Sequence, residues 1–159
     1  MAIAVVQLGT PRQRGEGLRL GTVRRPPRGV PKAEFAKLDF YDVWLPDLAP
    51  SQELVSEIMH SGGDARAWRR FERKYRAQMK RPEAARLLDL LAALSRQTNF
   101  SVGCYCENEA RCHRSILRKL LEERGAEIRR EAKMGGNATA DSSLTTPELK
   151  SVRGPVRSE

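Results

Sequence analysis

Residues 99–126 read "NFSVGCYCENEARCHRSILRKLLEERGA" and decide the fold. The first part, "NFSVGCYC", is short, apolar and free of proline, which predicts a strand. The last part repeats Ile116, Leu117, Leu120 and Leu121 at helical spacing and ends at Gly125, which predicts an amphipathic helix with a glycine cap. A strand that passes through a short loop into a helix is the joint of an α/β domain. In such a sheet, ligands bind beyond the carboxyl ends of the strands. All three cysteines and one of the two histidines fall at that joint.

The pattern continues on either side. "IAVVQLG", residues 3–9, is β-branched and continuously apolar, so it reads as a buried strand. "GLRLGTV", residues 17–23, is a second short strand, and "LDFYDVWL", residues 38–45, is a third that stops at Pro46. Three helices follow. Ser51 caps the first and Gly62-Gly63 stops it; Asp64 caps the second; Pro82 opens the third. Trp68, Phe71, Tyr75 and Met79 form one stripe, which reads as core rather than as a base-stacking platform. Strands alternating with helices predict one α/β domain over residues 1–132, three-layered, with a mainly parallel sheet in a Rossmann-like or flavodoxin-like layout. Residues 133–159 have little apolar content and no period, which predicts a disordered tail.

The chain has 159 residues and a formal charge of +9. That balance favours anionic partners, either small molecules or a nucleic acid backbone. Residues 11–32 hold seven basic residues and one acid, and residues 64–81 hold eight and two, so each run carries a net +6. No apolar stretch is long enough for a membrane span and no secretory leader is visible, so a cytoplasmic protein without membrane contact is expected. Three cysteines make a disulfide framework improbable, and in a reducing compartment clustered thiols point to metal binding, reactivity or burial.

Three readings of Cys104, Cys106, Cys112, His113 and Arg114 compete. As a zinc site, Cys104, Cys106, Cys112 and His113 supply four soft ligands, but the paired-cysteine knuckle spacing is absent and adjacent Cys112 and His113 on a helix point about 100° apart. As an anion site, Cys106 or Cys112 is the thiolate, His113 handles protons, and Arg114 clamps the anion with the free N–H groups of the helix start. Arg111, Arg25 and Arg28 add positive charge nearby, and Asp42 or Asp47 orients the histidine. As plain structure, Cys104 and Cys106 are small core hydrophobes and Arg114 a surface charge. The second reading leads, and no cofactor is predicted on it. An enzyme or ligand sensor for a phosphate- or nucleotide-like group is therefore expected, ahead of a non-enzymatic nucleic-acid module and a zinc-binding structural protein.

The elements "YDVWLPDLAPSQELV", "AWRRFERKYRAQM" and "CYCENEARCHRSIL" together resemble the prokaryotic domain-of-unknown-function family 488 over roughly residues 15–125. The resemblance implies a compact α/β domain with an active or binding loop at Cys106, Cys112, His113 and Arg114, and names no reaction. Where relatives look like D-R-x-W-P-R-G, this chain has "GTVRRPPRG", which drops the acid and the aromatic and keeps Arg25 and Arg28. Cys104 is no part of the family pattern, which favours a structural role for it.

Overall fold

The computed structural model describes residues 1–130; the expected tail lies outside the described residues. The fold is α/β, built on a four-stranded sheet of β1 (Ile3–Gln7), β2 (Leu18–Gly21), β3 (Val43–Trp44) and β4 (Phe100–Cys104). The strands are all parallel and stand in the order β1-β4-β2-β3. Beyond the strands, Ile128 bridges to Ile3 on the free edge of β1.

The four helices are α1 (Gln52–His60), α2 (Ala65–Gln78), α3 (Pro82–Leu94) and α4 (His113–Glu122). Their starts follow local chemistry. The Ser51 hydroxyl accepts from Leu54 N–H, the Asp64 carboxylate accepts from Ala67 N–H, and Pro82 stands in the first turn of α3. Gly125 takes φ +73° just after α4, where a side chain would be strained.

All four helices contribute to one core on one face of the sheet. Ile3, Val5, Leu20, Phe100 and Val102 point into it with Phe71, Tyr75, Leu88, Leu117 and Leu121. Pairing sets this up: Ile3 and Leu18 lie opposite Phe100, and Val5 and Leu20 lie opposite Val102, so same-parity residues share the face.

The other face departs from simple strand-helix alternation, because β1, β2 and β3 follow one another without helical crossovers. Residues 8–17 carry the chain from the end of β1 to the start of β2. These strands flank β4, about 10 Å apart, and a ten-residue segment reaches roughly 33 Å, enough to step across and return. The segments 8–17 and 35–42 then cover this face instead of helices. They are tied down by a buried ion pair: Arg19 Nε and Nη2 donate to Glu16 at 2.7 and 2.9 Å, and Arg19 Nη1 donates to the carbonyls of Thr10 and Asp39. Ser101 Oγ donates to the same Glu16 carboxylate at 2.6 Å.

The third strand is shorter than the span 38–45 that its aromatics suggest, and only Val43 and Trp44 pair with β2. Asp39 adopts φ +59° in a turn, and Tyr41 swings over Gly21, where an added Cβ would lie 2.4 Å from the Tyr41 ring. Tyr41 thus packs against the sheet face instead of taking a place in an alternating strand.

Candidate functional site

Because the strands are parallel, the chain leaves all of them at one edge, and the segments after β2 and β4 meet there. The strand β4 runs out through Tyr105 and Cys106. A short 3-10 turn at Glu109–Arg111 follows, with Asn108 Oδ1 accepting from Ala110 N–H, and Cys112 then occupies the N-cap position of α4. This return brings Cys112 back beside the strand end.

The result is a cluster of three thiols. Cys104 and Cys106, two residues apart and on the same side of the chain, have their sulfurs 3.7 Å apart. The three sulfurs all lie within 4.8 Å of one another, with Cys104 and Cys112 buried and Cys106 exposed. The expectation that Cys104 is core holds for its burial but misses this: its sulfur belongs to the cluster. His113 stands outside that three-sulfur group.

His113 is instead the partner of Cys112. Its Nδ1 lies 3.7 Å from Cys112 Sγ, and its Nε2 lies 2.8 Å from the Thr22 carbonyl. A carbonyl only accepts, so Nε2 carries a proton, and Nδ1 is the ring atom that faces Cys112. Thr22 Oγ1 donates to Gly103 O and lies 3.3 Å from the same Nε2. Tyr75 holds the ring from one side, centroids 5.6 Å apart at 66°. Cys112 Sγ, the His113 ring and the Thr22 carbonyl thus form one chain of contacts, the kind of arrangement nucleophilic catalysis can use. Neither Asp42 nor Asp47 is the orienting group. Asp42 accepts from Arg12 and from Arg19 N–H, and Asp47 lies in the 3-10 turn at Pro46–Leu48. Sequence reasoning missed Thr22 because a backbone acceptor 91 residues away leaves no signal in residue type.

Proton sharing separates the thiols. Cys104, hydrogen-bonded to Cys106 and then to Cys112 and buried, has its pKa pushed well above the thiol range. Cys106 goes the other way: its hydrogen bonds with Cys104 and Cys112 and the charge of Arg114 hold it well below that range, against the effect of burial. Cys112 is also lowered, first by its hydrogen bond with Cys104 and with help from His113.

The thiols form the floor of a cleft of about 760 Å³. Its walls are largely apolar, with Val55, Ile58, Trp68 and Phe71 on one side and Phe40 and Tyr105 on the other. Arg24, Arg25, Arg28 and Arg111 line it, and among the described residues no Asp or Glu does. None of the four is in an ion pair with a described carboxylate, whereas Arg12, Arg19, Arg70, Arg76 and Arg124 all are. Two of the four are held in place by backbone: Arg24 donates to the carbonyls of Ala49 and Pro50, and Arg111 to that of Gly63. Tyr105 Oη donates to Arg25 O at 3.0 Å and closes the segment 24–30 against the strand end.

Arg114 has a different place. It is 2% exposed, its Nη2 donates to the Cys106 carbonyl, and its side chain lines the opposite side of the loop with Gln7, Thr10 and Glu107. It braces the loop and lends charge to Cys106 from behind instead of reaching into the cleft.

The DUF488-N3a family profile, described as the active DUF488-N3 subclade, matches residues 3–125. No curated protein matches the chain, and neither does any solved structure. Among the described residues, no helix is long and apolar enough to cross a membrane.

Proposed function

This chain belongs to the DUF488 family, in its N3a subclade, and from that premise we propose that it is an enzyme in which a cysteine thiolate attacks a phosphate- or nucleotide-like anion held in the arginine-lined cleft. One observation carries the reading: Cys112 Sγ lies 3.7 Å from His113 Nδ1 while Nε2 donates to the Thr22 carbonyl at 2.8 Å, at the floor of that cleft. The subclade's description as active agrees with it.

Cys106, the exposed thiol, is the nucleophile. Its sulfur bonds to the electrophilic centre of the substrate, and the leaving group departs with the bonding pair. Cys106 attacks as the thiolate, and the proton held between Cys112 and His113 passes to the leaving group. Arg25, Arg28 and Arg111 hold the anion, and the apolar walls hold the rest of the molecule. A reducing cytoplasm suits this chemistry, since it keeps three close sulfurs as thiols.

The test is alkylation of reduced, metal-free protein with iodoacetamide, mapped by residue. Cys106 is expected to react first, at least about 10-fold more slowly in the His113→Gln variant, and to be protected by saturating phosphate or AMP. A Cys106 that reacts no faster than free cysteine, and is indifferent to both anions, sinks the proposal.

A second reading has its own observation. Along α2 and just past its end, Arg69, Arg73 and Lys80 line a groove around the ion pairs of Arg76 with Glu72 and Glu123, a basic surface of the kind a nucleic-acid-associated module would offer a phosphate backbone. It requires affinity that falls steeply with salt and is indifferent to sequence; a flat salt titration by filter binding removes it. A metal held by the three close cysteines is the third reading, taken up next.

A further inference from the structure

We propose that Cys104, Cys106 and Cys112 bind one thiophilic divalent cation of the zinc class through their three sulfurs, leaving one coordination position open toward the cleft. The inference stands on geometry. A tetrahedral zinc with Zn–S bonds of about 2.3 Å sets its sulfurs about 3.8 Å apart. Cys104 and Cys106 already stand at 3.7 Å, and no pair in the trio exceeds 4.8 Å. The ligands come from three different places in the backbone: the last residue of β4, the loop beyond it, and the N-cap of α4. The ion reaches them from the cleft, through the exposed Cys106.

The set is three sulfurs, not the four ligands that counting Cys104, Cys106, Cys112 and His113 suggests. His113 is committed through Nε2 to Thr22 O and presents Nδ1 to Cys112, which makes it the partner of a ligand rather than a ligand. Three thiolates around a divalent cation leave one net negative charge. The buried guanidinium of Arg114, bonded to the Cys106 carbonyl, faces that charge from behind the loop. A three-ligand site with an open fourth position is the pattern of ions that meet exogenous ligands rather than of closed structural sites.

The consequence for the thiol chemistry rests on the reading proposed above. Each Cys sulfur gives up its proton and donates a lone pair to the ion, so a loaded Cys106 has no free thiolate with which to attack. The ion is therefore a brake on the site, released by chelation.

The experiment uses the full chain, reduced and stripped of metal with a chelator, then titrated with Zn²⁺ against a chromophoric competitor and with Cd²⁺ for sulfur-to-cadmium charge-transfer absorption. One equivalent is expected to bind, with the absorption growing to the same equivalence point. Cys104→Ser and Cys106→Ser should each weaken binding at least about 10-fold. The exposed Cys106 site keeps the test decisive if Cys104→Ser does not fold. Absence of saturable binding, or equal affinity in the Cys106→Ser variant, overturns the inference. Alkylation of the metal-free protein reads out the proposed enzyme chemistry separately, so either proposal can fail while the other stands.

Discussion

Replacing Arg19 by Met tests the structural claim that a buried ion pair pins the loops to the sheet. The guanidinium is fully buried and makes four hydrogen bonds: two to Glu16, one to the Thr10 carbonyl and one to the Asp39 carbonyl. Methionine fills much of the space but leaves the Glu16 carboxylate charged, buried and held only by Ser101 Oγ and Gln13 N–H. Breaking one side of a buried pair costs about 3–5 kcal/mol, a large part of the roughly 5–15 kcal/mol that holds a domain together. The thermal midpoint should fall by about 10 °C or more, read by circular dichroism, with the urea midpoint falling in step. Adding Glu16→Gln removes the orphaned charge, so the double variant should regain part of the loss. The pH dependence follows the same pair. Burial alone would raise the Glu16 pKa, but the bonds from Arg19, Ser101 and Gln13 N–H outweigh it and hold the value below the ordinary carboxylate range. A depressed carboxylate gives stability that is present above its unfolded pKa of about 4.3 and lost as pH falls through the folded value. Wild-type stability should therefore drop below about pH 4, with a shallower drop in the double variant. A loss under about 1 kcal/mol for Arg19→Met, or a double variant no better than the single, refutes the reasoning.

Gly17→Ala should be among the most damaging single methyl additions, because its Cβ would lie 2.0 Å from the Asn99 carbonyl oxygen at φ +78°. Two backbones must separate, and we expect a loss of about 3 kcal/mol, whereas Gly29→Ala, with nothing within 4 Å of its Cβ, should cost only about 1 kcal/mol; equal urea midpoints for the two would contradict this. Tyr75→Phe removes the hydroxyl that donates to Leu48 O at 2.7 Å and leaves that carbonyl unpaired in the core. The expected loss is about 1–3 kcal/mol with the ring still seated against His113, so the alkylation rate of Cys106 should not follow the stability down.

Helices were easier to read than strands here because their signals are local. Ser51, Asp64, Pro82 and Gly125 each act within one turn of their own position, and the stripe Phe71, Tyr75, Met79 repeats on one helix. The stretch 38–45 misled because aromatic content marks a strand only when alternate residues face two sides; here Tyr41 turns to cap Gly21, and the pairing is two residues long. The site divides in the same way. Cys104 and Cys106 share a side because strand period is two, which the sequence shows. That Cys112 joins them depends on the path of Glu107–Arg111, and that Arg114 faces away depends on which side of the loop it braces. Both are settled by packing across the chain, where residue type is silent.

The sheet itself carries the alignment of the His113 ring. Thr22 N–H donates to Gly103 O at 2.9 Å, extending the β2–β4 ladder one residue past the end of β2. The Thr22 carbonyl, next in line, is the acceptor for the His113 Nε2–H. Since that acceptor is backbone, no side-chain replacement at position 22 removes it; Thr22→Ala deletes only the hydroxyl bonded to Gly103 O. What removes it is a change in how β2 lies against β4. The small residues Gly21 and Gly103 protect that arrangement, because a Cβ at either would push against Tyr41 or Leu8 from the loop-covered face. The arginines of the cleft sit on the segments after β2 and β4, while the orientation of the His113 ring is held by the strand register that also holds the core.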